Sequence, residues 1–109
     1  MDIKTTDYKG RMILELSGEI DMYSSPDLRE QLMQLVKKKL PALCIDLKSV
    51  SYIDSSGIAT FVEGLKCMKS HGGRLQFLQV PESIMEIFKF SKLDGVFEIY
   101  DNIDDAANS

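Results

Sequence analysis

Met12, Leu14 and Leu16 alternate with other residues between positions 11 and 17, and this period of two predicts a strand with one buried face. An extended segment over residues 3–8 precedes it, and Lys9-Gly10 between the two predicts a hairpin turn. The period then changes. Leu28, Leu32, Leu35 and Val36 recur at helical spacing behind Ser24-Ser25-Pro26-Asp27, which supplies a hydroxyl cap, a proline for the first helical position and an acid for the first turn. Pro41 ends that helix, and the apolar run Leu43-Cys44-Ile45-Asp46-Leu47 predicts a buried strand. Asp54-Ser55-Ser56-Gly57 opens a second helix with Ile58, Phe61, Val62 and Leu65 on one stripe, stopped by Gly72-Gly73. A strand over Leu75–Val80, a helix carrying Ile84, Ile87 and Phe88, a strand over Val96–Tyr100 and a short helix within 102–109 complete the pattern.

A hairpin followed by strands alternating with helices predicts an α/β fold. The sheet is mixed, with parallel right-handed crossovers and the helices packed mainly on one face. The chain has 109 residues, which suits a single domain over 1–109 with one core. In open sheets of this kind functional sites gather beyond the strand C-terminal ends, and the Ser55 segment lies on that edge.

Composition narrows the function. Apolar residues make up 44% and charged residues 28%, the balance of a globular protein. Thirteen Lys and Arg against seventeen Asp and Glu give a net charge of -4, which argues against a nucleic-acid partner. The run Lys37-Lys38-Lys39 falls at a helix end, where cations complement the dipole. No apolar run approaches the roughly 20 residues that span a bilayer, and Met1-Asp2-Ile3-Lys4 lacks the pattern of a signal peptide. The expectation is a cytoplasmic protein with no membrane partner. Cys44 and Cys67 have no spacing that marks a disulfide framework or zinc site, so reduced thiols are expected.

Ser55 falls in the first turn of the second helix, where backbone N–H groups and the positive end of the macrodipole converge. A phosphate suits such a place, and its oxygens could be satisfied by the helix N-terminus. Gly57 would let another backbone or a nucleotide phosphate approach closely. The bland alternative is that Asp54 or Ser55 is simply an N-cap.

The surrounding chain resembles the STAS family, the sulfate transporter and anti-sigma antagonist domains. The resemblance rests on Gly18-Glu19-Ile20-Asp21, on the stretch Leu47–Ala59 with Tyr52-Ile53-Asp54-Ser55-Ser56-Gly57 at its centre, and on Phe97-Glu98-Ile99-Tyr100 followed by Asp105-Ala106. It is closest to the stand-alone bacterial branch, in which an unmodified antagonist binds an anti-sigma factor serine kinase and frees the sigma factor. The resemblance implies that the kinase phosphorylates Ser55, that a PP2C-type phosphatase reverses this, and that Asp21 and Asp54 line the same surface. Ser56 would be the neighbour of the acceptor. A phosphate between Asp21 and Asp54 would meet like charge, which across an interface costs several kcal/mol. Met22, Tyr23, Tyr52, Ile53, Gly57 and Ile58 flank the site as candidate contacts, with core packing the alternative for Ile53 and Ile58. A STAS domain acting as a non-switching subunit of a lipid ABC transporter or a signalling complex is the alternative function, and a monomer or weak dimer is expected.

Other chemistries fit less well. A serine hydrolase needs a base near Ser55, yet His71, the single histidine, lies sixteen residues on, roughly 24 Å along a helix. The Gly-x-Ser-x-Gly elbow is missing, as is a P-loop. A receiver domain accepting phosphate on Asp46 or Asp54 would want magnesium-binding acids after the first strand, where Asp7 instead precedes a turn. Cys67 and His71 share a helical face without a third ligand, so neither a metal nor another cofactor is expected.

Overall fold

The computed structural model describes residues 1–109. Strands β1 (Asp2–Tyr8) and β2 (Arg11–Ile20) form the hairpin, followed by α1 (Ser25–Val36), β3 (Ala42–Ile53), α2 (Ser55–Ser70), β4 (Arg74–Leu78), α3 (Glu82–Phe90), β5 (Glu98–Tyr100) and α4 (Ile103–Ala107). The five strands lie in sequence order across one sheet. β1 is antiparallel to β2, and β2, β3, β4 and β5 are mutually parallel.

Alternation sorts the side chains of each strand onto two faces. Leu14, Leu16, Leu43, Ile45, Leu47, Leu75 and Phe77 join Leu28 and Leu32 of α1, Phe61, Leu65 and Met68 of α2 and Ile84 and Phe88 of α3 in one core. Four aromatic rings centre it: Phe77 meets Phe61 at 5.1 Å, Phe88 at 5.8 Å and Phe97 at 4.6 Å between ring centroids. The other face carries a small cluster of Ile13, Cys44, Leu78 and Ala106, with α4 as its cover. Three helices on one face and one short helix on the other match the expected architecture.

Two strands run further than the hydrophobic pattern predicts. β3 continues six residues past Leu47 to Ile53. Lys48, Ser49, Ser51 and Tyr52 there are exposed, and Val50 and Ile53 alone anchor the stretch in the core. β2 continues to Ile20 through two register shifts, and Gly18, at φ 96°, takes a left-handed conformation that a side chain would resist. The extension has a functional consequence. It pairs Ile20 with Ile53, so Asp21 and Asp54 leave the sheet from neighbouring strand ends.

Candidate functional site

Asp54 is the N-cap of α2. Its carboxylate Oδ1 accepts from the backbone N–H of Ser56 at 2.9 Å and of Gly57 at 3.3 Å, and from the Ser56 hydroxyl at 2.5 Å. The Ser56 hydroxyl does most to hold the Asp54 carboxyl below its ordinary range, with the two N–H groups and the Met22 amide adding to it and partial desolvation opposing. Asp54 is therefore an anion at neutral pH. The capping expectation holds for Asp54 and not for Ser55, which is the first residue of the helix proper.

Ser55 and Ser56 differ sharply. Ser55 is exposed, and no protein group holds its hydroxyl. The Ser56 hydroxyl is half-buried, donates to Asp54, and lies 2.8 Å from the Ser25 hydroxyl at the start of α1. Ser25 also lies 2.7 Å from the Asp21 carbonyl, so its single proton serves one of two acceptors at a time.

Asp21 begins the β2–α1 connection, its Oδ1 accepting from the N–H of Tyr23 at 2.9 Å and of Ser24 at 3.1 Å. Ser24 does not cap α1 with its hydroxyl, as the sequence suggested; it donates to the Glu19 carbonyl at 2.9 Å and accepts from the Asp21 N–H at 2.9 Å. The loop is thus closed on itself and carried on the strand end. The Asp54 N–H donates to the Ile20 carbonyl at 3.0 Å, which ties this loop to the α2 cap.

Met22 and Tyr23, 66% and 87% exposed, stand out from the loop, and Tyr52 is half exposed. Ile58 is half-buried and packs on the core, and Ile53 is buried within it. Gly57 requires a correction. It is buried, and a Cβ there would lie 2.6 Å from Ile20 Cγ2 and 2.7 Å from Ile53 Cγ1. Its missing side chain lets the helix start settle on the two strand ends; it does not open the surface to a visitor. A second expectation also changes: the N–H groups of Ser56 and Gly57, which were to satisfy a phosphate, are already taken by Asp54.

Sequence reasoning missed a groove of about 390 Å³ beside the site, between α1 and α2. Met22, Pro26, Ser56 and Ala59 line it, and Arg29 closes one end in a two-bond pair with Glu63, at 2.7 and 2.6 Å. The signal was present in the i, i+4 spacing of Ala59 with Glu63 on α2 and in the placing of Pro26 and Arg29 on exposed positions of α1. His71, at the far end of α2, lies 2.9 Å from the Leu40 carbonyl and has no part in the site.

A model of the STAS domain matches residues 2–106. The chain belongs to the STAS family. Among curated relatives, the anti-sigma-B factor antagonist of Bacillus subtilis (strain 168) is 38% identical over 86 residues, covering 79% of this chain and 78% of the relative. The anti-sigma-B factor antagonist of Staphylococcus aureus (strain NCTC 8325 / PS 47) is 28% identical and covers 91% of this STAS chain and 92% of its own. Among solved structures, an anti-sigma factor antagonist from Mycobacterium paratuberculosis superposes with a TM-score of 0.88 at 26% identity, over 98% of this chain and 91% of that one.

Proposed function

We propose that this STAS protein is an anti-sigma factor antagonist acting in the cytoplasm, and that phosphate on Ser55 sets its state. The relatives from Bacillus and Staphylococcus carry the antagonist name, and a chain of the same fold, SpoIIAA, has been solved in a phosphorylated form. The observation that carries the reading is the exposed, unengaged Ser55 hydroxyl, one residue after a capping carboxylate and beside the loop that holds Asp21.

In the unmodified state the surface offers Met22, Tyr23 and the α1–α2 groove to an anti-sigma factor serine kinase, whose release of the sigma factor follows from occupancy. Transfer of the ATP γ-phosphoryl group to Ser55 Oγ, with its bond to the bridging oxygen broken, ADP leaving and the hydroxyl proton going to a base of the kinase, adds about 1.5 to 2 negative charges. The dianion then stands next to ionised Asp54 with two of the helix's N–H groups already taken. Like charge forced into an interface costs several kcal/mol, and each 1.4 kcal/mol is about tenfold in affinity. The fold need not move for binding to fail. A PP2C-type phosphatase restores the hydroxyl.

Titration of the host's anti-sigma factor kinase with three forms of the protein tests this. Ser55→Ala should bind as the unmodified protein does and stay bound in the presence of ATP. Phosphorylated protein should bind at least about a hundredfold more weakly, and Ser55→Asp should fall between them, because a carboxylate carries less charge than phosphate. Equal binding by all three forms would point to a STAS subunit that does not switch.

A further inference from the structure

The net charge of -4 conceals a sharp polarity along the strands. At the C-terminal edge of the parallel strands, where Ser55 lies, the connections 21–24, 54, 79–81 and 101–102 contain Asp21, Asp54 and Asp101 and no Lys or Arg. The connections at the opposite end, 9–10, 37–41, 71–73 and 91–97, contain Lys9, Lys37, Lys38, Lys39 and Lys92 against Asp94, with Asp7 and Asp104 the acids that border Lys9 from the neighbouring elements. All five lysines are exposed and none forms an ion pair. Lys69 and Lys89, exposed in the last turns of α2 and α3, extend the basic end.

The largest exposed apolar side chain stands at the same end. Phe90, the last residue of α3, is 92% exposed between Lys89 and Lys92, and Val96 in the following turn is 50% exposed. Dipole complementarity explains a lysine after a helix; it does not explain an uncovered phenylalanine among lysines.

We infer that this basic end docks on an anionic bilayer surface, the lysines meeting lipid phosphates and Phe90 entering the headgroup boundary. The five lysines come from three separate connections, 9–10, 37–41 and 91–97, and only Lys9 among them borders the recess at this end, so the others spread over the surface in an arrangement matched to a plane of charge. An aromatic side chain flanked by cations is what such a boundary accommodates. The acidic end does not prevent docking: the molecule measures 29 × 25 × 23 Å, and charges farther apart than a Debye length of about 8 Å are largely screened. Docking in this orientation keeps Ser55 on the side away from the membrane, free for its partner. The inference stands independently of the switch proposed for Ser55.

Co-sedimentation of the unmodified protein with phosphatidylglycerol–phosphatidylcholine vesicles tests it against phosphatidylcholine vesicles alone. Binding to the anionic vesicles and loss of that binding at high salt are expected. Lys37→Glu with Lys38→Glu should weaken it by at least about 25-fold, at roughly fivefold per basic residue before reversal is counted. Lys4→Glu with Lys48→Glu, the same charge change away from the basic end, should leave it within about twofold. Phe90→Ser should weaken it while the far-ultraviolet spectrum stays that of the wild type. Equal sedimentation with the two vesicle types would overturn the inference, as would equal loss in the two double variants or tighter retention by polyuridylate than by anionic vesicles.

Discussion

Two identical side chains one position apart meet opposite surroundings at the start of α2. Ser56 gives its proton to the Asp54 carboxylate at 2.5 Å and touches Ser25, whereas Ser55 points into solvent with nothing to hold it. A kinase must take the hydroxyl proton during transfer, and removing it from Ser56 would break a charge-assisted bond that also fixes the cap. The sequence shows two serines; the difference arises from the Asp54 cap, which reaches the second and not the first, and from Ser25, brought across from the other helix. Gly57 makes the complementary point beneath the surface. Gly57→Ala should cost about 1 to 3 kcal/mol of stability, since its Cβ would press on Ile20 and Ile53, both held within the core. Urea unfolding would measure this, and an unchanged midpoint would show that the helix start can shift without loss.

Among the elements, the helices and the hairpin were legible in the sequence because their apolar positions recur at 3.6 or 2 residues, as Leu28–Val36 and Met12–Leu16 do. The polar second half of β3 was not. Its order comes from pairing with β2, a long-range contact that no local pattern records, and from the two anchors Val50 and Ile53. The same extension places Asp54 beside Asp21, so the part of the fold that sequence missed is the part that assembles the site. The family resemblance supplied that adjacency before the pairing did. What binds the layers is clearer: Phe77 of β4 is fully buried and touches a ring from each of α2, α3 and the turn before β5. Phe77→Ala should therefore destabilise by about 3 to 5 kcal/mol, read as a lowered urea midpoint with little change in slope; a loss below about 1 kcal/mol would mean that the layers close over the cavity.

For the whole molecule, acid is the condition that tests the electrostatics. Asp54, Glu63 and Glu98 all lose their protons more readily than usual, through hydrogen bonds first from Ser56, Arg29 and Arg74 respectively. The folded chain thus binds fewer protons than the unfolded one. The stabilisation is fully present above the ordinary values, 3.8 for Asp and 4.5 for Glu, and is lost as pH falls through the lower folded values. Unfolding free energy should be flat from neutral pH down to about 5 and decline below it; a decline that begins near neutrality would assign the loss to other groups. Both ends of the molecule act through charge, one held by the Asp54 cap and the other by unpaired lysines. The function proposed for the acidic end depends on which hydroxyl takes the phosphate.

Incubation with the host's anti-sigma factor kinase and ATP, followed by fragmentation mass spectrometry of the modified protein, reads that directly. A single phosphate on Ser55 is the predicted result, with Ser56 unmodified. Phosphate on Ser56 or Thr60, or a protein that the kinase binds and never modifies, would contradict the account.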